Sequence, residues 1–172
     1  HGKDDHNFYK IDDIGNEGHF LSNKLWLDDE QRIETEEEFR ARIYNDFINS
    51  KNDLEKEFGI KVISLAYPFG DFGHGSINFP EAKFAILDAV KSVYPMSFYQ
   101  VWGDYSKGNY PQPNAEHLFV KRIDIEPEWN AENLLSVLEK SIQDQDNHYV
   151  LLTILQNSRE KMLPYYDFIK NR

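Results

Sequence analysis

Cysteine is absent from the 172-residue chain. That excludes disulfides, thiolate metal sites and thiol nucleophiles together. Basic residues are outnumbered: 19 Lys and Arg stand against 30 Asp and Glu, a formal net charge of -11. This balance argues against nucleic acid, whose phosphates select clustered Lys and Arg, and equally against an anionic membrane surface. No stretch approaches the roughly 18 apolar residues that a membrane-spanning helix needs. Internal repeats and low-complexity tracts are missing as well. What is present is a folding composition, with 40% hydrophobic and 15% aromatic residues. That is enough to bury a core in one domain spanning 1–172 rather than remain disordered. An acidic shell tolerates neutral sugars and attracts cationic ones such as amino sugars.

The clearest element is a helix from Glu36 to Phe58. Thr35 and Glu38 make a capping-box pair at its start. Phe39, Ile43, Phe47, Leu54 and Phe58 recur as one apolar stripe, and Gly59 stands where a left-handed cap is wanted. A strand over Lys61 to Tyr67 runs into Pro68-Phe69-Gly70. Pro80 opens a second helix, Glu81 to Val93, followed by an aromatic strand from Ser97 to Trp102. Beyond a Gly-, Asn- and Pro-rich loop, Leu118 to Ile125 reads as a strand. Asn130 caps a third helix with the stripe Leu134, Leu135, Leu138 and Ile142. Tyr149 to Leu155 is a continuous apolar run, as in a strand buried on both faces. A last helix is expected over Arg159 to Lys170.

This alternation predicts an α/β fold of mainly parallel strands joined by helical crossovers, either an open sheet or a (β/α) barrel. Binding faces of such folds lie at the C-terminal strand ends. Here those ends carry Pro68 to Ser76, Trp102 to Tyr105, Asp124 to Trp129 and Leu155 to Ser158.

One passage is more specific than periodicity. Lys51-Asn-Asp-Leu-Glu-Lys-Glu-Phe-Gly59 leads into Ser64-Leu-Ala-Tyr-Pro-Phe-Gly-Asp-Phe-Gly73. It resembles the "leader helix, then Ala-Tyr-Pro-Tyr-Gly" passage of polysaccharide deacetylases, carbohydrate esterase family four. Asp13-Ile-Gly-Asn-Glu-Gly-His19 is similar to that family's "Glu-Ile-Gly-Asn-His-Thr" motif. Lys121-Arg-Ile-Asp-Ile125 with Pro127-Glu-Trp-Asn130 resembles a strand-to-helix passage of its later half. The resemblance implies a distorted α/β barrel that removes acetyl groups from N-acetylated sugar polymers, at the cell envelope or outside the cell. It also implies a divalent, zinc-like metal held by one Asp and two His, a second Asp as general base and a late His as general acid.

The motif set is incomplete. The family's paired-Asp strand has no counterpart, because the doublets Asp4-Asp5 and Asp12-Asp13 lack an apolar strand ahead of them. Glu17 and Leu21, or His19 and Asn23, fall where two metal-binding His are wanted. Thr153, Ile154 and Leu155 occupy the place of the late His. Three readings follow: a working N-deacetylase domain with altered ligands, an inactive carbohydrate-binding or assembly domain, or an unrelated α/β module with a coincidental turn.

Within the resemblance, His19 is the metal-ligand candidate, against a half-buried His bonded to backbone. Phe69 stands where the family's Tyr offers its N–H to the oxyanion. Asp71 is either a base or sugar contact, or a turn-capping carboxylate. Tyr67 is a candidate substrate-binding residue. Trp26, Trp102 and Trp129 could stack on sugar rings, with core packing as the alternative for each Trp, and Trp102 and Trp129, just past strand ends, are the better placed. His74 sits in a Gly-rich loop at the same rim, whereas His6, His117 and His148 read as surface residues. Arg122 is expected to tie strands together. The family fold needs strands ahead of Ile14, so an upstream segment or a second subunit is expected to complete the sheet.

Overall fold

The computed structural model describes residues 1–100, 118–143 and 150–154. The chain divides into two compact units, His1–Tyr99 and Gln100–Arg172.

In the first unit two short antiparallel hairpins precede the first helix. Strand β1 (Phe8–Lys10) pairs with β2 (Glu17–His19), and β3 (Trp26–Leu27) pairs with β4 (Arg32–Ile33). Helix α1 covers Glu36–Phe58, as the sequence predicts. Its capping box is complete, with Thr35 accepting from Glu38 N–H and Glu38 accepting from Thr35 N–H. Gly59 closes it at φ 62°, a left-handed conformation that costs glycine little. The inward face runs Phe39, Ile43, Asp46, Phe47 and Ser50. Leu54 and Phe58, expected on that stripe, are exposed instead. The face turns polar because Asp46 and Ser50 bind the backbone of the N-terminal loop.

Arg32 reaches Glu38 through two hydrogen bonds of 2.6 and 2.7 Å. Together with the Thr35 N–H these hold the Glu38 carboxyl at about 2, well below its ordinary value of 4.5. A depressed carboxyl adds stability that is complete above its unfolded value and is lost as pH falls through the folded one. The stability difference between wild type and Glu38→Gln is therefore expected to be constant at neutral pH. It should shrink between about pH 4.5 and 2, as read by denaturant unfolding across an acid series. A difference that does not change over this range would contradict the assignment.

Strand β5 (Ser64–Ala66) pairs in parallel with β6 (Met96–Gln100), placing Leu65 opposite Ser97. Helix α2 (Ala82–Val93) lies between them in sequence and packs on α1. Phe39 meets Phe79 edge-on at 5.0 Å, and Phe47 meets Tyr94 at 6.1 Å. A second fixed point is Arg42 of α1. Its guanidinium bonds Glu34 at 2.8 and 3.0 Å and the carbonyls of Phe20 and Asn23 at 2.8 Å each. It also lies 4.3 Å over the Phe20 ring and 5.0 Å over Phe39. One side chain thus joins the β2–β3 connection, the end of the second hairpin and α1.

In the second unit β7 (Val120–Ile125) pairs in parallel with β8 (Val150–Ile154). Helix α3 (Ala131–Gln143) connects this order. Asn130 and Asn133 cap its start reciprocally at 3.1 and 2.9 Å. Ile125 and Leu134 form a buried pair, with Trp129 and Leu138 packed on it. Arg122 donates to Gln100 Oε1 at 2.8 Å.

Helices alternating with parallel strands are thus present, as expected. Barrel closure is not shown among the described residues, and the segment ahead of α1 is antiparallel rather than parallel. Trp102 and the helix expected over Arg159 to Lys170 lie outside the described residues.

Candidate functional site

The site grows from two backbone features of the first unit. The first is the turn after β5. Pro68–Gly70 forms one 3-10 turn, closed by Gly70 N–H to the Tyr67 carbonyl at 3.2 Å and Asp71 N–H to the Pro68 carbonyl at 2.8 Å. Phe69 sits within it at φ 55°, ψ 15°. A non-glycine residue there carries about 1–2 kcal/mol of backbone strain, the sort of cost that accumulates at working sites. The turn throws the Phe69 ring outward, 53% exposed.

Asp71 secures the exit of this turn. Ser22 Oγ donates to its carboxylate at 2.6 Å, and Gly73 N–H donates at 2.8 Å. Of the two roles open to Asp71, the geometry supplies the turn-capping one. Gly73, at φ +88°, has Lys83 N only 2.7 Å from where a Cβ would stand, so no larger residue fits against α2. His74 lies on the same loop, exposed, with Nδ1 3.9 Å from Asp71 and its ring on Phe72 at 4.4 Å.

The second feature is the loop from His1 to Asn7. Lys3 and Asp4 N–H groups donate to Asp46 Oδ1 of α1 at 2.9 and 2.8 Å. Ser50 Oγ donates to the His1 carbonyl at 2.9 Å. Gly2 N–H donates to Asp5 Oδ2, and Asn7 N–H closes the loop on the Asp4 carbonyl at 3.0 Å. So held, His1, Asp5 and His6 each offer a ligand atom, and these atoms lie within 4.8 Å of one another. Asp5 is 2% exposed. Its Oδ1 has no hydrogen-bond partner among the described residues. Burial pushes the Asp5 carboxyl above its ordinary range, against the Gly2 N–H that lowers it. A buried carboxylate oxygen without a donor, with two imidazoles beside it, is a donor set that suits a divalent cation such as zinc.

A row of rings joins the two features. His1 and His6 are 4.5 Å apart, His6 and Phe69 5.4 Å, Phe69 and His19 5.4 Å, and His19 and Phe8 4.1 Å. The β1–β2 register places Phe8 opposite His19. Phe8, like Phe69, is 53% exposed. His19 Nδ1 is buried and has no hydrogen-bond partner among the described residues.

The structure therefore brings together Phe69 and His19 of the sequence-predicted residues and adds His1, Asp5, His6 and Phe8. His19 is not in the metal-capable group. His6, read as an isolated surface residue, has His1 and Asp5 as partners. Tyr67, expected to bind substrate, requires correction: it is 0% exposed, with its hydroxyl accepting from Ser97 at 3.2 Å, and cannot reach a sugar. It shares a strand face with Leu65, and both point into the core. Trp129 belongs to the second unit, where it packs on Ile125 and Leu134.

Among solved structures, the chain is similar to a de-N-acetylase from Aggregatibacter actinomycetemcomitans. The two are 15% identical, with a TM-score of 0.55 over 80% of this chain and 45% of that one. The fold is polysaccharide deacetylase-like. A likeness to the BpsB deacetylase domain from Bordetella bronchiseptica has 21% identity and a TM-score of 0.47, covering 58% of this chain and 34% of that one. The chain thus spans less than half the length of either solved structure. No family model and no curated protein matches it.

Proposed function

We propose that the first unit carries the metal-binding part of a carbohydrate N-deacetylase site, acting on an N-acetylated glycan at the cell envelope or outside the cell. The observation that carries this reading is the grouping of His1, Asp5 and His6 within 4.8 Å beside the left-handed Phe69 turn. His1, Asp5 and His6 would hold a divalent metal. Bound there, such an ion would supply Lewis-acid polarisation of the acetyl carbonyl and a more acidic water.

The chain's own residues supply orientation. Phe69 N–H is the proposed donor to the developing oxyanion, since its turn fixes the amide before substrate arrives. The exposed Phe8 and Phe69 rings flank His19 and offer apolar faces to a pyranose ring. His19 is the remaining imidazole beside the turn that could hold a proton, its Nδ1 being buried and without a hydrogen-bond partner among the described residues. Barrel closure, completed by an upstream segment or second subunit, belongs to the same proposal.

Acetate release from N-acetylglucosamine oligomers in the presence of zinc tests the reaction. The expected result is zinc-dependent release by the wild type, absent in His6→Ala. Glycan binding without acetate release would favour the second reading, an inactive carbohydrate-binding domain, for which the exposed Phe8–Phe69 pair is the supporting observation. Under either reading Phe8→Ala and Phe69→Ala are each expected to weaken oligosaccharide binding about three- to tenfold in calorimetry. Unchanged affinity in both variants would remove the rings from the site.

A further inference from the structure

Asp46 stands apart from the residues so far given a chemical role. It comes from the middle of α1, where an apolar residue would continue the helix stripe, yet it is a buried carboxylate. Its Oδ1 accepts two backbone N–H groups from the His1–Asn7 loop, and its Oδ2 has no hydrogen-bond partner among the described residues. A Cβ on Gly2 would lie 1.8 Å from Asp46 Oδ2 and 3.1 Å from Asp5 Oδ2. Two buried carboxylates therefore approach the one point that a side chain on Gly2 would occupy. Neighbouring like charges of this kind are unfavourable until a cation offsets them. One helical turn on, Ser50 fixes the His1 carbonyl. The contacts are three, and they come from one face of one helix.

We propose that Asp46, assisted by Ser50, is the positioning residue of the cation site: it fixes the backbone that presents His1, Asp5 and His6, and its charge adds to the field that favours a divalent ion. The inference rests on the reading of His1, Asp5 and His6 as ligands. It assigns Asp46 no direct bond to the ion. Without a cation the Asp46–Asp5 approach opposes folding, and with one it favours binding. Charge removal at Asp46 therefore separates two effects that a merely structural residue would move together.

The experiment is zinc calorimetry and thermal unfolding on the whole chain, for wild type, Asp46→Asn, Asp46→Ala, Ser50→Ala and His6→Ala. Asp46→Asn retains an acceptor for Lys3 and Asp4 N–H groups and removes the charge. It is expected to bind one zinc about tenfold more weakly, with a metal-free melting temperature equal to or above wild type and a smaller zinc-induced rise. Asp46→Ala, losing the backbone clamp too, should approach a hundredfold loss. Ser50→Ala should fall between wild type and Asp46→Ala. Wild-type zinc affinity in folded Asp46→Asn and Asp46→Ala, with binding lost in His6→Ala, would overturn this inference alone. Identical zinc behaviour of wild type and His6→Ala would overturn the ligand reading beneath it. A metal-free Asp46→Asn that melts well below wild type would mark Asp46 as structural only.

Discussion

Replacing Arg42 by Ala is expected to destabilise the first unit by about 3–5 kcal/mol. The side chains of the Arg42–Glu34 pair are only 15% and 6% exposed, so the charge left behind on Glu34 has little water to take it up. Glu34 would keep a hydrogen bond from Leu25 N–H at 2.9 Å, which does not replace a bidentate guanidinium. The Phe20 and Asn23 carbonyls would lose their donor, each a further desolvation cost. Denaturant unfolding of the variant measures the effect. A loss under about 1 kcal/mol, the scale of a surface ion pair, would contradict a buried role. Replacing both partners with apolar residues of similar size should recover part of the loss, because the penalty comes mainly from the orphaned charge.

The second large effect concerns the cation site. His6→Ala and Asp5→Asn are each expected to reduce zinc affinity by at least a hundredfold, about 2.8 kcal/mol or more. Each removes one of three ligand atoms, and no other described residue stands in the group. His19→Ala should change zinc affinity far less, since its ring reaches the group only through Phe69. Equal losses in His19→Ala and His6→Ala would show that the ion sits between them rather than at His1, Asp5 and His6. Competition with a chromogenic chelator reads all three variants on one scale.

Much of the fold was legible in residues that act locally. Helix α1 declares itself through Thr35, Glu38 and Gly59, each of which works within a few positions of its own. The parallel strands declare themselves through apolar runs between helices. The hairpins ahead of α1 do not, because strands of two or three residues have no room for an alternating pattern. Arg42 was likewise silent: its partners lie 8 to 22 positions away.

The site was legible in part for the same reason. Pro68-Phe69-Gly70 is contiguous, so its turn could be read. His1, Asp5 and His6 are also near in sequence, and the signal was there: two His five positions apart around an acidic doublet. Neither a helix nor a strand would bring such a spacing together. What does so is Asp46, 42 positions from Asp4, through hydrogen bonds to backbone that no side-chain pattern announces. Tyr67 differs from expectation for the opposite reason. A strand-end aromatic faces a rim or a core according to the parity of its strand, and Leu65 sets that parity inward.

On the proposed reading, His1, Asp5 and His6 together would hold a divalent cation beside the Phe69 turn. Crystals grown with zinc, measured on both sides of the zinc absorption edge, test it most directly. The account predicts one anomalous peak in contact with His1, Asp5 and His6. A zinc peak elsewhere in the first unit, or none with the three side chains ordered, would contradict it.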